Sequence, residues 1–245
     1  MPNEAGSFDD YLSRHYDHLG DQARYRAGRK RQLLKTYRAV LPPDHDVEML
    51  EIGPGYGHLL ELIRELGYAR AIAVDVSREV VEFCNGVLPG STTLVTDTVA
   101  YLAGNRARFE RIFAMHVLEH LPKSEGLELA RAIAAALKPG GRFVVEVPNM
   151  ANLLTGSYLR DADFTHACGY SEMSLRQLLE SAGFVNVECF EERLPVDGPK
   201  RLLAAAFRGG ARLAQRLVYK AYELPVPKVL SPALCATATR PARTP

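Results

Sequence analysis

The sequence predicts an α/β fold in which a doubly wound parallel sheet carries helices on both faces. Strand-like apolar runs and helical patterns alternate from Val47 to Val147, which is the order expected of consecutive strand-helix-strand units. The first apolar run also ends in a turn with glycine at every second position, at Gly53, Gly55 and Gly57. Glycines permit a tight turn and a close approach by a ligand, so this loop predicts a nucleotide-type site.

The first two predicted elements flank that loop. An apolar run that begins at Val47 ends in Glu51, and a helix is expected from His58 through Glu65. The first backbone N–H groups of this helix have no intrahelical partners, so they face whatever binds above the loop.

Two further strands each end in an acid. Residues 69–76, ARAIAVDV, predict a second buried strand that closes on Asp75, and residues 92–95 predict a third strand that ends at Asp97 and Thr98. Asp75 stands about twenty residues beyond the glycines, where an acid can accept hydrogen bonds from ribose hydroxyls. Alternatively, Asp75 caps the next helix, a role for which Ser77 also qualifies.

The fourth and fifth strands complete the alternation. A strand in the segment RIFAMHVLEH, residues 111–120, is followed by a helix, the turn KPGG and the strand-like run RFVVEVPN. Ligands of such sheets bind beyond the carboxyl ends of the strands. We therefore expect Glu51, Asp75, Asp97 and His116, one from each of four strands, to converge.

The glycine loop distinguishes between two cofactor classes. It reads G-x-G-x-G after Glu51, whereas a dinucleotide-binding loop reads G-x-G-x-x-G. The loop resembles motif I of the class I S-adenosylmethionine-dependent methyltransferases, and the phrases HVLEHLP and LKPGGRFVVEVPN extend this resemblance over residues 47–190. The resemblance implies a Rossmann-like seven-stranded sheet with a reversed final strand, mapped to residues 184–191 and 232–240. It also implies S-adenosylmethionine as the cofactor. The glycine loop, taken by itself, leaves a dehydrogenase as the alternative class of enzyme.

The resemblance also implies a set of cofactor-binding residues. Asp75 would contact the ribose, Asp97 the adenine amino group, and His116 would line the floor of the site. The full set is Glu51, Gly53, Gly55, Gly57, Asp75, Val76, Asp97, Thr98 and His116.

A competing motif lies at the end of the fourth strand. His116, Glu119 and His120 spell H-x-x-E-H, in which two histidines four residues apart on one helix bind zinc in a class of peptidases. Leu121 and Pro122 leave little room for such a helix. We therefore predict no metal site.

The acceptor is expected to bind beneath the irregular stretch from Pro148 to Tyr170. Its pattern of PN, a later asparagine and D-x-T-H resembles methyltransferases that modify bacterial surface polysaccharides and other sugars. This resemblance implies O-methylation of a sugar or glycan. Within the stretch, His166 is predicted to be the catalytic base and Asp163 to orient it, with His116 as the reserve base.

Several alternatives remain open for this stretch and for the function. Asp163, Thr165 and His166 could equally shape the loop and cap a helix that begins near Ser171. Methylation of another small metabolite, such as a quinone or polyketide, is a second function, and a non-catalytic cofactor-binding protein is a third.

Composition and the flanking segments set the remaining expectations. A chain of 245 residues, 47% hydrophobic and with a net charge of +1, fits one compact enzyme and gives no signal for nucleic acid. We predict a helical lid at 1–41, a methyltransferase core at 42–198, and an amphipathic helical insertion with the last strand at 199–245. The basic run at 24–31 is predicted to be the solvated face of a lid helix.

The tail and the cysteines suggest where the protein works. Arg and Lys alternate with apolar residues at helical intervals over 199–227, which favours peripheral contact with a membrane, a homodimer contact or packing on the domain itself. Four scattered cysteines and the lack of a signal peptide or spanning run predict a cytoplasmic protein with reduced thiols, with the inner face of the membrane as a further location.

Overall fold

The structure, a computed structural model, describes Leu12 and residues 22–242. The helices are α1 (Gln22–Tyr37), α2 (His58–Glu65), α3 (Arg78–Val87), α4 (Thr98–Ala103), α5 (Lys123–Ala136), α6 (Gly156–Asp161), α7 (Glu172–Ser181) and α8 (Pro199–Ala221), with 3₁₀ turns at Arg38–Val40 and Leu118–His120. The strands are β1 (Met49–Ile52), β2 (Ala71–Asp75), β3 (Thr92–Leu94), β4 (Phe109–Met115), β5 (Leu137–Pro148), β6 (Val185–Glu191) and β7 (Ala233–Thr239).

The strands form one seven-stranded sheet in the order β3-β2-β1-β4-β5-β7-β6. Neighbouring strands from β3 to β5 are parallel, whereas β7 is antiparallel to both β5 and β6. The predicted α/β sheet with a reversed final strand is confirmed. The order reverses between β1 and β4, so a crevice opens there at the carboxyl edge.

Both faces of the central strands are buried, as a doubly wound sheet requires. Because successive side chains on a strand point to opposite faces, Ile112 packs with α5 and α7 on one side, while Phe113 packs with α1 and α2 on the other. Ile112 and Phe113 are both completely buried.

The KPGG segment differs in detail from its prediction as a simple turn. It lies within β5, where the pairing with β4 shifts register between Phe109 and Arg111. Gly140 has φ of +79°, and a Cβ on Gly141 would lie 2.8 Å from the Lys138 carbonyl oxygen. The glycines therefore allow the strand to bend without ending it.

Helix α1 is bound to the core by its basic face as well as its apolar one. Arg26 Nε lies 2.7 Å from Glu61 Oε2, and Lys30 Nζ lies 2.6 Å from Glu65 Oε1. Arg29 Nη2 reaches inward to Glu146 Oε1 at 3.0 Å. The prediction of a merely solvated basic face was therefore wrong for these three cations. Most of the predicted lid before α1, residues 1–11 and 13–21, lies outside the described residues.

Helix α8 confirms the helical pattern in the tail and projects most of its surface into solvent. Gln215 is its buried residue, and its Oε1 accepts a hydrogen bond from Leu153 N at 2.9 Å. Tyr219 donates to the Ala151 carbonyl oxygen at 2.8 Å, so the helix is anchored to the stretch after β5. Within residues 22–242, each helix is too short or too polar to cross a bilayer.

Candidate active site

The glycine loop between β1 and α2 has the backbone geometry that its spacing predicts. Gly53, Gly55 and Gly57 have φ of +67°, +53° and +67°, a region that residues with a Cβ seldom adopt. A Cβ on Gly53 would lie 2.8 Å from Val117 Cγ2, whereas nothing lies within 4 Å of one on Gly55. The loop therefore packs tightly on one side and leaves open space on the other.

That open space is part of a cavity of about 930 Å³ along the carboxyl ends of β1 to β4. Its volume is in the range of small-molecule and cofactor sites. The cavity is lined by eight of the nine predicted cofactor residues: Glu51, Gly53, Gly55, Asp75, Val76, Asp97, Thr98 and His116. Gly57 is not in the lining but sits behind it, where a Cβ would be 3.2 Å from Cys84 Sγ.

Glu51 offers a buried carboxylate to this cavity. Its side chain is 3% exposed, and its Oε2 has no hydrogen-bond partner among the described residues. Burial raises its pKa to about 8. A buried acid left without a partner is costly, so this atom fits a bound cationic group such as the ammonium of S-adenosylmethionine.

The two acids at the ends of β2 and β3 differ in how they contact the helices that follow them. Asp75 Oδ1 accepts a hydrogen bond from Ser77 N at 2.8 Å, while Ser77 caps α3, and burial raises the Asp75 pKa to about 6. Asp97 Oδ1 caps α4 by accepting from Val99 N and Ala100 N at 2.8 and 3.1 Å. Ser77, and not Asp75, is therefore the cap of α3, and both acids also line the cavity.

His116 is held as a cation and is unsuited to act as a base. Its Nδ1 lies 2.9 Å from Glu119 Oε1, and its Nε2 lies 2.9 Å from Glu146 Oε1. Loss of solvent lowers the pKa of the ring, but the hydrogen bonds to these two carboxylates outweigh that effect and raise it well above its ordinary value. The choice of His116 as reserve base is therefore corrected, although it does line the predicted floor.

The partner of His116 in β5 belongs to a network that the sequence analysis missed. Glu146 is 2% exposed and accepts hydrogen bonds from Arg29 and from the Tyr37 hydroxyl, both on α1. Burial alone would raise its pKa, but the cations and hydrogen bonds hold it below its ordinary range. The sequence held one signal for this network, because Glu146 lies inside the apolar run of β5. A glutamate that is buried in this way needs a buried partner.

His58 was also missed. It begins α2 at the cavity wall, and both its ring nitrogens are buried without a hydrogen-bond partner among the described residues. Burial, and then the charges of Arg26 and Arg29, lower its pKa to about 4, so the ring is neutral at physiological pH. A neutral imidazole at a helix start can donate to or accept from a cofactor.

The stretch after β5 pairs its predicted catalytic residues differently from the expectation. His166 Nδ1 faces the carbonyl oxygens of Leu159 and Arg160 at 3.0 and 3.1 Å. Asp163 Oδ1 accepts from the Thr165 hydroxyl at 2.7 Å, and this hydroxyl lies 2.8 Å from Nδ1 of His120. Asp163 therefore acts through Thr165 on His120, which corrects the predicted Asp163–His166 pairing.

His120 is the imidazole from this region that lines the cavity, and the His166 ring stands behind it with the ring centroids 4.8 Å apart. The H-x-x-E-H segment forms a 3₁₀ turn, so it does not place His116 and His120 on one helical face. The expected absence of a metal site stays a prediction. The structure nevertheless brings Glu119, His120 and His166 together, with possible ligand atoms within 4.8 Å of one another.

The parallel sheet, the G-x-G-x-G loop and the acids at the ends of β1 to β3 define a class I methyltransferase site. A model of the methyltransferase domain family matches residues 22–189, and the chain belongs to this family. The chain therefore carries a methyltransferase domain, as the sequence predicted.

Individual relatives agree with this assignment. The chain is 30% identical over 140 residues to the C-methyltransferase NovU of Streptomyces niveus. The aligned region covers 55% of this chain and 32% of NovU. It thus spans about a third of the length of the curated relative that it matches.

Solved structures establish the fold. A SAM-dependent methyltransferase from Archaeoglobus fulgidus superposes with a TM-score of 0.66 at 22% identity, covering 94% of this chain and 100% of that one. Phosphoethanolamine N-methyltransferase 2 of Haemonchus contortus, in complex with phosphomonomethylethanolamine and S-adenosylhomocysteine, gives 0.61 at 17% identity, covering 96% and 61%.

Proposed function

We propose that the protein transfers a methyl group to a hydroxyl of a sugar or glycan. The observation that carries this proposal is a group of four polar side chains in the cavity lining, His116, His120, Glu125 and Glu128, which stand among the apolar side chains of the same segments. Imidazoles and carboxylates are hydrogen-bonding partners for several hydroxyls at once. A pocket for an apolar aromatic acceptor would be lined mainly by aromatic and aliphatic groups.

The neighbouring stretch adds features that suit a sugar. Tyr158 is 73% exposed and Phe164 is fully exposed, each a few residues from Asp161 or Asp163. An aromatic ring offers its flat apolar face to the C–H groups of a sugar, while the adjacent acids accept from its hydroxyls. The combination supports a hydroxyl-rich acceptor held between α6 and the cavity.

The polar side chains of this lining also support the proton transfer that the reaction needs. S-adenosylmethionine supplies an electrophilic methyl group on a good leaving group, so positioning of the acceptor oxygen does most of the work. Burial lowers the pKa of His120, so this ring is neutral at physiological pH. The acceptor oxygen forms its bond to the methyl carbon as the carbon–sulfur bond breaks, and the hydroxyl proton moves to the imidazole pair of His120 and His166.

The experiment is a transfer assay with radiolabelled S-adenosylmethionine and three acceptor panels: nucleotide sugars and lipid-linked glycans, quinols and phenols, and primary amines. The proposal expects label in the first panel and its loss in a His120→Ala variant. His45→Ala is the matched control, because the exposed His45 ring stacks on Tyr68, away from the cavity lining. Label only in the phenol or amine panel would refute the sugar acceptor.

Carbon methylation is the second candidate, favoured by the relative NovU, which is a C-methyltransferase. A carbon acceptor needs a base that removes a proton from carbon before the methyl group arrives, and a neutral His120 would also serve there. The quinone or polyketide alternative draws support from the apolar residues Val117, Leu121 and Leu129 in the same lining, and the phenol panel of the transfer assay tests it.

We further propose that α8 binds the surface of an anionic membrane. The helix carries six basic residues and no acidic one. The same helix exposes Leu203, Phe207 and Leu217, whose residues are 74%, 79% and 57% accessible to solvent. Apolar groups at helical spacing beside cations fit an interface of anionic lipid. This contact would place a cytoplasmic enzyme at the inner face of the membrane, beside lipid-linked glycans.

Vesicle sedimentation tests this contact. Wild-type protein should bind phosphatidylglycerol vesicles and bind phosphatidylcholine vesicles weakly, and Leu203→Glu with Phe207→Glu should abolish binding without lowering Tm. If these substitutions instead dissolve a homodimer and vesicle binding is absent, α8 is a dimer contact and the membrane proposal fails.

A further inference from the structure

We propose that Glu119, His120 and His166 form a site for one divalent first-row transition-metal ion beside the cavity, whose wall includes His120. The three side chains come from two separate segments, the 3₁₀ turn after β4 and the stretch before α7. Their possible ligand atoms all lie within 4.8 Å of one another. Metal–ligand bonds to imidazole and carboxylate are about 2.0–2.2 Å, so side-chain shifts of about 1 Å or less would close them on an ion.

The backbone holds these two segments together. The carbonyl oxygen of Glu119 accepts hydrogen bonds from Ala167 N at 2.8 Å and from Cys168 N at 2.9 Å. His166 is therefore fixed next to the turn that carries Glu119 and His120. A ligand set positioned by main-chain hydrogen bonds is preorganised for an ion.

Both histidines have the tautomer that metal binding requires. Carbonyl oxygens only accept, so the contact of His166 Nδ1 with Leu159 O places the proton on Nδ1 and the lone pair on Nε2. Thr165 donates its hydroxyl proton to Asp163, so this hydroxyl accepts from His120 Nδ1 and leaves the His120 lone pair on Nε2. Such a second set of hydrogen bonds, which fixes ring and tautomer, is typical of metal-binding histidines.

Glu119 supplies the independent sign of a ligand. Its side chain is 1% exposed, and one oxygen, Oε1, contacts His116. The other oxygen, Oε2, is buried without a hydrogen-bond partner among the residues that the structure describes. A buried carboxylate oxygen left unpaired costs about 1–3 kcal/mol or more, a cost that a bound cation removes.

The donor set indicates which ions fit. Two imidazole nitrogens and one carboxylate oxygen suit Zn²⁺, Mn²⁺ or Fe²⁺, whereas Mg²⁺ and Ca²⁺ prefer ligand sets made of oxygen. Three protein ligands leave coordination positions open for substrate.

The ion also indicates the class of acceptor: a sugar whose neighbouring hydroxyls chelate the metal. This inference rests on the proposed function. Metal binding lowers the pKa of a coordinated hydroxyl. The acceptor proton then passes to water as its oxygen bonds to the methyl carbon and the carbon–sulfur bond breaks. With the ion bound, the two imidazoles are ligands and not bases.

The direct test measures metal binding without cofactor or acceptor. Protein stripped with a chelator is titrated with Mn²⁺, followed by electron paramagnetic resonance of free Mn²⁺, and with Zn²⁺ by equilibrium dialysis and elemental analysis. One ion per chain is expected, with Mg²⁺ binding at least about 10-fold more weakly. His166→Ala should weaken Mn²⁺ binding by about 10–100-fold, while His45→Ala should leave it unchanged.

Two results would overturn the site. One is binding of less than about 0.2 equivalents of both Mn²⁺ and Zn²⁺ at millimolar concentration. The other is an equal affinity of wild type and His166→Ala for Mn²⁺. Calorimetric binding of S-adenosylhomocysteine to His166→Ala and His45→Ala checks that the cavity is intact in both variants. A site that binds metal in an enzyme that methylates no sugar would refute the acceptor class alone. Sugar methylation that persists after chelation would refute the metal's role.

Discussion

Glu51 predicts that cofactor binding releases a proton. The apoprotein holds this carboxyl buried with a pKa of about 8, so at pH 7 about 0.9 of the molecules carry it protonated. An ammonium group placed against Oε2 favours the carboxylate and lowers the pKa far below 7, so that the bound form is almost fully ionised at pH 7. Binding should therefore release about 0.9 proton at pH 7 and about 0.1 at pH 9.

Calorimetry in buffers of different ionisation enthalpy counts this proton directly. Titrations with S-adenosylhomocysteine in phosphate and in Tris give a difference in binding enthalpy proportional to the protons released. Asp75, with a pKa of about 6, adds only about 0.1 proton at pH 7. The Glu51→Gln variant should thus release about 0.1 proton. Wild-type release below about 0.3, or release unchanged in the variant, would refute the role of Glu51.

The same carboxyl makes the apoprotein less stable at higher pH. Its pKa rises from 4.5 to about 8 on folding, so its contribution to stability is present below pH 4.5 and is lost as pH rises through 8. By pH 7 the loss is on the order of 3 kcal/mol. Glu51→Gln should accordingly raise the apoprotein Tm at pH 8 more than at pH 5 while it weakens cofactor binding. An equal Tm change at both values would contradict the burial argument.

Three further perturbations follow from the contacts. Asp75→Asn should weaken S-adenosylhomocysteine binding by about 10-fold at pH 8, and in the Glu51→Gln background the affinity should fall as pH drops through about 6, where Asp75 is protonated; calorimetry that shows neither would contradict the ribose assignment. Gly53→Ala should lower the free energy of unfolding by about 2 kcal/mol, because φ is +67° and the new Cβ meets Val117; an unchanged urea midpoint would exclude this strain. Arg29→Ala should cost about 3 kcal/mol by removing a cation from buried Glu146, whereas Arg31→Ala, which breaks an exposed pair with Asp197, should cost under about 1 kcal/mol; equal urea midpoints for these two variants would refute the network.

Local patterns sufficed for much of the fold. The segments near β6 and β7 came from the family resemblance. The predicted helix from His58 through Glu65 coincides with α2, and the two strands predicted from apolar runs at 69–76 and 92–95 fall within a few residues of β2 and β3. These elements combine a clear apolar period with a glycine, acid or turn at their ends, so short-range physics determines them. The convergence of Glu51, Asp75 and Asp97 was predicted for the same reason, because each lies at the carboxyl end of a parallel strand, and all three line the cavity.

The predicted acceptor site depends on contacts between distant segments, which a linear pattern does not reveal. His120 and Thr165 are separated by 45 residues, and Arg29 and Glu146 by 117. The sequence indicated that Asp163 and His166 share a loop, but not that Asp163 hydrogen-bonds to Thr165 and so acts on His120. The pKa of His116 likewise depends on Glu146 from a neighbouring strand, which is why a histidine suited to base catalysis by type is unsuited by environment.

The proposed reaction is tested most directly by determining which atom of the acceptor carries the transferred methyl group. Enzyme, S-adenosylmethionine labelled with ¹³C at the methyl carbon, and the sugar acceptors found in the transfer assay would be incubated, and the product examined by carbon–proton correlation NMR. The expected product carries the labelled methyl group on an oxygen that was a hydroxyl of the sugar. A labelled methyl group on carbon or nitrogen would contradict it and would favour the chemistry of the C-methyltransferase relative or of an N-methyltransferase.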